Sequence, residues 1–104
     1  MNLLISIVIY NKRIEELPIF LSFKREGAFD IFIYDNSKTP QEVPTFESIN
    51  IYYEHDEKNS GVSRAYNRAY KKAKELQKEL LLVLDQDTLF KLENVEKYTN
   101  NKYL

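Results

Sequence analysis

The chain predicts an α/β fold, a mostly parallel four-stranded sheet flanked by helices, and three observations lead there. Four short runs rich in apolar and β-branched residues, Leu3 to Tyr10, Ile31 to Tyr34, Ile49 to Tyr53 and Leu80 to Leu84, are each bounded by polar turn residues, the pattern of strands. Two stretches with helical spacing, about Glu15 to Arg25 and Val62 to Lys78, separate the first run from the second and the third from the fourth. The resulting order, β-α-β-loop-β-α-β, calls for parallel pairing through right-handed crossovers; the strand order expected is 3-2-1-4.

Taken in order, Leu3 to Tyr10 is apolar apart from Ser6, which suits a central strand. Asn11-Lys12-Arg13 turns out of it. The first helix is expected from Glu15 to Arg25: Pro18 fits a first-turn position, Glu15 and Glu16 suit the positive helix end, and Gly27 stops it. Ile14, Leu17, Phe20 and Leu21 would be its buried stripe. Ile31 to Tyr34 runs into the turn cluster Asp35-Asn36-Ser37-Lys38, and two prolines between Thr39 and Glu47 predict a loop with at most a short helical turn. Ile49 to Tyr53 alternates like an edge strand. The charged loop Glu54 to Gly61, with His55 expected in solvent, leads into the second helix. Its apolar positions Val62, Ala65, Ala69, Ala73, Leu76 and Leu80 fall at helical spacing. Leu80 to Leu84 reads as a strand buried on both faces, because five consecutive apolar residues are too short for a free-standing helix. Residues 1 to 90 then form the domain, and 91 to 104 a polar tail with at most one short helix, Glu93 to Tyr98.

Composition narrows the function classes. The 104 residues make one domain, with 15 basic and 16 acidic side chains, so bulk charge gives no reason to bind nucleic acid or an anionic membrane. The absence of cysteine excludes disulfides and thiolate metal sites and fits a cytoplasmic protein. Met1 to Tyr10 lacks the basic start and cleavage site of a signal peptide, and no run is long enough to span a bilayer.

Chemistry concentrates where the strands end. In an extended chain Asp85 and Asp87 point the same way with Gln86 opposite. At about 5 Å and an effective dielectric of 20 their repulsion is roughly 3 kcal/mol, so the pair calls for a cation, a proton or a hydrogen-bond donor. Solvated positions in a loop are the other reading of the same two acids. Ligands of parallel sheets bind at strand carboxyl ends, where the strand order reverses. Tyr10-Asn11, Asp35-Asn36-Ser37, the Asn59 to Ser63 loop and Asp85 to Thr88 all lie at that edge.

The four motifs I-V-I-Y-N (Ile7 to Asn11), I-Y-D-N-S (Ile33 to Ser37), N-S-G-V-S-R-A-Y-N-R-A (Asn59 to Ala69) and L-V-L-D-Q-D-T (Leu82 to Thr88) together resemble the N-terminal half of family 2 glycosyltransferases, over residues 3 to about 90. These are inverting enzymes with an A-type nucleotide-sugar-binding fold, and the D-Q-D-T form looks like the branch with many rhamnosyltransferases of cell-surface polysaccharides. The resemblance implies a nucleoside-diphosphate sugar donor, UDP- or dTDP-linked. Tyr10 and Asn11 would lie beside the base, and Asp35 would accept hydrogen bonds from base or ribose; the residues alone leave Asp35 equally readable as an Asx-turn. Gly61 would let the backbone approach the nucleotide, and Asn67 matches the helix asparagine that follows. Asp85 would contact ribose or a metal-bound water, and Asp87 a divalent cation, Mg²⁺ or Mn²⁺, carrying the diphosphate.

Two departures accompany the match. Tyr66 stands where many members have arginine, with Arg64 nearby. The acceptor half, with its acidic general base, would follow the D-x-D, where only Phe90 to Leu104 remain, so the chain reads as a donor-binding half. A non-catalytic remnant or binding subunit is therefore the rival expectation, with the flank of the fourth strand open to a second copy or another protein. A cytoplasmic location, including the inner face of the membrane, is implied. Haloacid-dehalogenase phosphatases also place D-x-D after a strand, but continue with Gly and then Thr or Val, unlike Thr88-Leu89. Sugar nucleotidyltransferases need a glycine-rich first loop, unlike Asn11-Lys12-Arg13.

Overall fold

A computed structural model of the protein describes residues 2–22, 29–59 and 61–87. Four strands, β1 (Leu3–Ile9), β2 (Phe29–Asp35), β3 (Ile49–His55) and β4 (Leu80–Asp85), form one sheet. The order is β3-β2-β1-β4 and every pairing is parallel. The expected fold class, topology and central position of β1 all hold.

Alternation along β1 and β2 builds two cores, one on each side of the sheet. Leu3, Ile5, Ile7 and Ile9 join Ile31 and Ile33 on one face, beneath Ile14, Leu17 and Ile19. Leu4, Phe32 and Tyr34 face the other way, against Ala65, Ala69 and Ala73 of the long helix α2 (Val62–Glu75). The three alanines, one turn apart, give α2 a smooth ridge that lies close to the sheet.

The flank of α2 nearer β3 is fixed by charge. Arg68 donates from Nε to both carboxylate oxygens of Glu54, 2.9 Å each, and from a terminal nitrogen at 2.8 Å. Lys72 sits 5.4 Å from the centre of the Tyr52 ring. Beyond the helix, Lys78 reaches Asp30 at 2.6 Å, tying the start of β4 to β2; burial works against the charged Asp30, but Lys78 and Asn50 hold its pKa below the usual range.

Several sequence expectations are corrected. The first helix is not continuous: a 3₁₀ turn, Ile14–Glu16, is followed by extended Leu17 and a short helix α1, Ile19–Ser22. Leu17 has ψ 130° because the residue before a proline is driven out of the helical region, so Pro18 separates two turns instead of starting one helix. The expected continuation to Arg25 and the Gly27 stop lie outside the described residues, as do Thr88 and the tail with its Glu93–Tyr98 helix. Between Asn36 and Ser48 there is no helical turn, only a bridge from Phe46 to Ile49. Phe20 and Phe46 stack with ring centres 4.4 Å apart and pin this loop to α1.

The second helix ends at Glu75, so Leu80 belongs to β4 and not to the helix stripe. Val62, expected in that stripe, is 58% exposed on the first turn. His55, expected in a solvated loop, is the last residue of β3, half-buried, with Nε2 2.8 Å from the carbonyl of Ser37. β4 is not buried on both faces: Leu81, Leu82, Val83 and Leu84 are half-buried, and among the described residues β4 has one strand neighbour, β1. Its apolar composition suits its pairing with β1, and among the described residues no strand pairs with its other edge.

Candidate functional site

The parallel register brings the predicted strand ends together. Ile9 pairs with Asp35 and Val8 with Asp85, so the two carboxylates flank the end of β1 on neighbouring strands. With strands about 4.8 Å apart, their backbones are roughly 10 Å from each other. An open cavity of about 540 Å³ lies at the β4 side of this edge, lined by Val8, Ile9, Tyr10, Val62, Asp85, Gln86 and Asp87. Four residues of the expected set thus fall at or beside one mouth: Tyr10, Asp85 and Asp87 line it, and Asn11 follows Tyr10.

Each is held by a local device. The backbone N–H of Tyr10 donates to Oε1 of Gln86 at 2.9 Å, which ties the end of β1 to the turn after β4 and leaves the tyrosine ring 54% exposed. Asn11 takes φ 50°, a left-handed conformation that asparagine tolerates, and its N–H donates to Oγ of Ser37 at 2.7 Å. The strand ends at Asp85 and a turn takes in Gln86 and Asp87, so the strict alternation expected for the two acids stops one residue early. Both are exposed and still line one cavity. Asp87 lies 3.7 Å from Nζ of Lys12, a solvent-screened pairing of little energetic weight.

Asp35 is different in kind. It is wholly buried, and its carboxylate accepts hydrogen bonds from three residues, among them Ser37 N–H to Oδ1 at 3.0 Å, Tyr53 O–H to Oδ2 at 2.6 Å, and Gln41 Nε2 to Oδ2 at 3.3 Å. The bond to Ser37 is the Asx-turn that the residues alone allowed. Burial pushes the carboxyl pKa up, but the bonds from Ser37, Tyr53 and Gln41 outweigh it and hold the group below the ordinary carboxylate range. Burial and the same carboxylate push the Tyr53 phenol up to about 12, which keeps it a donor. Next to Asp35, Asn36 has its side-chain oxygen buried with no partner among the described residues.

Gly61 caps α2 at φ 100°, a region costly to any residue with a Cβ. A Cβ there would meet nothing within 4 Å, so backbone conformation and not crowding within the protein requires the glycine. Asn67 is exposed on α2 and does not line the cavity, and Tyr66 is 48% exposed. Arg64 lines a second recess with His55, Asp56, Glu57 and Lys58 at the end of β3, away from the two acids.

Sequence reasoning did not single out Gln41, Tyr53 or Lys12, and it placed Ser37 and Gln86 at the strand ends without giving either a role. Tyr53 had a signal: once β2 and β3 pair in parallel with Ile33 opposite Tyr53, it lies diagonal to Asp35 on one face. Gln41 and Gln86 act from loops and had none.

A parallel α/β sheet with carboxylates at the ends of the two strands that flank its β1 strand, and an open cavity on one side of that edge, is the architecture of a ligand-binding domain that works at its carboxyl edge. The family model described as Glycosyl transferase family 2 matches residues 5–101, and the chain belongs to that family. No curated protein and no solved structure matches the chain. Among the described residues no helix is long and apolar enough to cross a membrane.

Proposed function

We propose that the domain binds the donor of a glycosyl transfer, a nucleoside-diphosphate sugar linked to UDP or dTDP, at the carboxyl edge of its sheet. The observation that carries this reading is the cavity at the ends of β1 and β4, lined by Tyr10, Asp85 and Asp87 together. Membership of the family supports the donor class. Tyr10 and Asn11 lie beside the base, Asp35 recognises base or ribose, and Gly61 lies along the nucleotide; Asn67, the family-matched helix asparagine, stands outside the cavity and would reach the nucleotide only where it extends beyond it. Asp85 takes the ribose or a metal-bound water.

No group of three or more His, Cys, Asp or Glu gathers among the described residues, and the two exposed carboxylates instead fit a cation that takes its remaining oxygens from phosphate and water. Asp87, with Asp85, would hold Mg²⁺ or Mn²⁺, which when bound neutralises charge on the leaving diphosphate. The chain's own contribution is to fix Tyr10 and Asn11 through Gln86 and Ser37 and to present two acids to solvent. In the complete reaction the sugar passes with inversion to a cell-surface glycan acceptor, in the manner of the rhamnosyltransferase branch. The cysteine-free chain suits the cytoplasm, at or near the inner face of the membrane.

Calorimetric titration with UDP and dTDP, with and without Mn²⁺, tests the reading. Metal-dependent binding is expected, lost in Asp87→Ala; binding indifferent to that substitution, or none, sinks it. Binding without release of sugar from the nucleotide sugar would favour the binding-subunit reading. The half-buried apolar residues of β4, which among the described residues pairs with β1 alone, support association with a second copy, since such edges invite pairing. Sedimentation at high concentration is expected to show dimer, and a clean monomer there counts against it.

A further inference from the structure

The side-chain amide of Gln41 uses all of its hydrogen-bonding groups on the edge where the proposed donor's base would lie. Its Nε2 donates to the Lys12 carbonyl at 2.9 Å and to Asp35 Oδ2 at 3.3 Å, and its Oε1 accepts from the Ile14 N–H at 2.9 Å. An amide presents N–H beside C=O, the same pair that the edge of uracil or thymine presents. Of the three groups on Asp35, Ser37 belongs to its own Asx-turn and Tyr53 to the neighbouring strand, both fixed by the fold. Gln41 comes from irregular chain, is half-buried, and makes the longest of the three contacts.

Resting on the donor-binding reading, we infer that Gln41 is an internal stand-in for the nucleobase, and that the donor binds by displacing its amide from Asp35. With Gln41 in place Asp35 has no exposed surface, so no base reaches it. When the amide swings out, Asp35 Oδ2 becomes an acceptor and the Ile14 N–H a donor for the incoming base. The Ser37 and Tyr53 bonds remain to keep the carboxylate ionised and oriented. Each donor molecule then binds against the loss of Gln41's own bonds, so affinity is set below what the empty edge would give.

Two variants test this. Gln41→Ala removes the amide, and Gln41→Glu keeps its shape but replaces the donor with a second carboxylate that Asp35 repels. Titration with UDP is expected to show about tenfold tighter binding in both than in the native chain, the equivalent of one net hydrogen bond to a charged group. Pyrophosphate, which has no base, is expected to bind all three alike. Circular dichroism identifies the variants that keep the native fold, and affinity is read on those. Unchanged or weaker UDP binding in a folded variant overturns the displacement while leaving the donor site standing. Loss of the fold in both variants makes Gln41 a brace and overturns it as well. Absence of UDP binding in the native chain and in both variants instead removes the donor reading itself, and this inference with it.

Discussion

Asp35→Ala is expected to destabilise the domain by about 3 kcal/mol, because the substitution leaves the Tyr53 hydroxyl, the Ser37 N–H and one Gln41 donor without their acceptor in a buried place. Urea unfolding followed by circular dichroism checks it; a change below about 0.5 kcal/mol would mean that the carboxylate does not organise this corner. The same cluster gives the domain a pH signature. Since the folded Asp35 pKa is depressed, its contribution is fully present above the unfolded value, about 3.9, and is lost as pH falls through the lower folded one. Tyr53 works in the opposite sense: its folded pKa is raised, so its contribution is complete below about 10 and lost as pH rises toward about 12. Asp30 adds a second acid-sensitive carboxylate, so the native chain is compared with Asp35→Asn. The difference between the two is expected to shrink as pH falls below about 4; a constant difference would show that Asp35 does not titrate with folding.

Phe32→Ala is expected to cost about 3 to 5 kcal/mol, a large share of a small domain's stability. The ring is 1% exposed, lies 6.3 Å from Tyr34 centre to centre, and belongs to the cluster beneath α2. The facing residues Ala65, Ala69 and Ala73 have no side chain to swing into the space, so the cavity persists. The urea midpoint should drop with the slope nearly unchanged. A loss below about 1.5 kcal/mol would indicate that α2 settles onto the sheet.

These two residues also show what the sequence makes legible. Phe32 sits in a short β-branched and aromatic run between turn residues, and its burial follows from period-two alternation in a strand with neighbours on both sides. The same logic placed all four strands, their parallel sense and the polar residues at their ends. It failed for β4, whose apolar composition did not report that its residues are half-buried, with one strand neighbour among the described residues. It failed again at Pro18, where propensity for a helix start lost to the steric demand on Leu17. At the site, Tyr10, Asn11, Asp85 and Asp87 were legible as strand-end polar residues. Of the partners of Asp35, Ser37 was legible as an Asx-turn and Tyr53 only once the β2–β3 register was known, whereas Gln41 was not, because it arrives from a loop whose path no periodicity describes.

One consequence follows from the place of β1 in the strand order. β1 is the first strand made and lies inside the sheet, yet one of its two neighbours, β4, is the last strand of the described chain. During synthesis β1, β2 and β3 can pair as they emerge, while the other side of β1 waits for the chain beyond α2. Closing that gap joins residues far apart in sequence, the kind of contact that slows folding. Until β4 arrives, an apolar strand edge faces solvent on the nascent chain, and the crossover through α2 sets how long that exposure lasts.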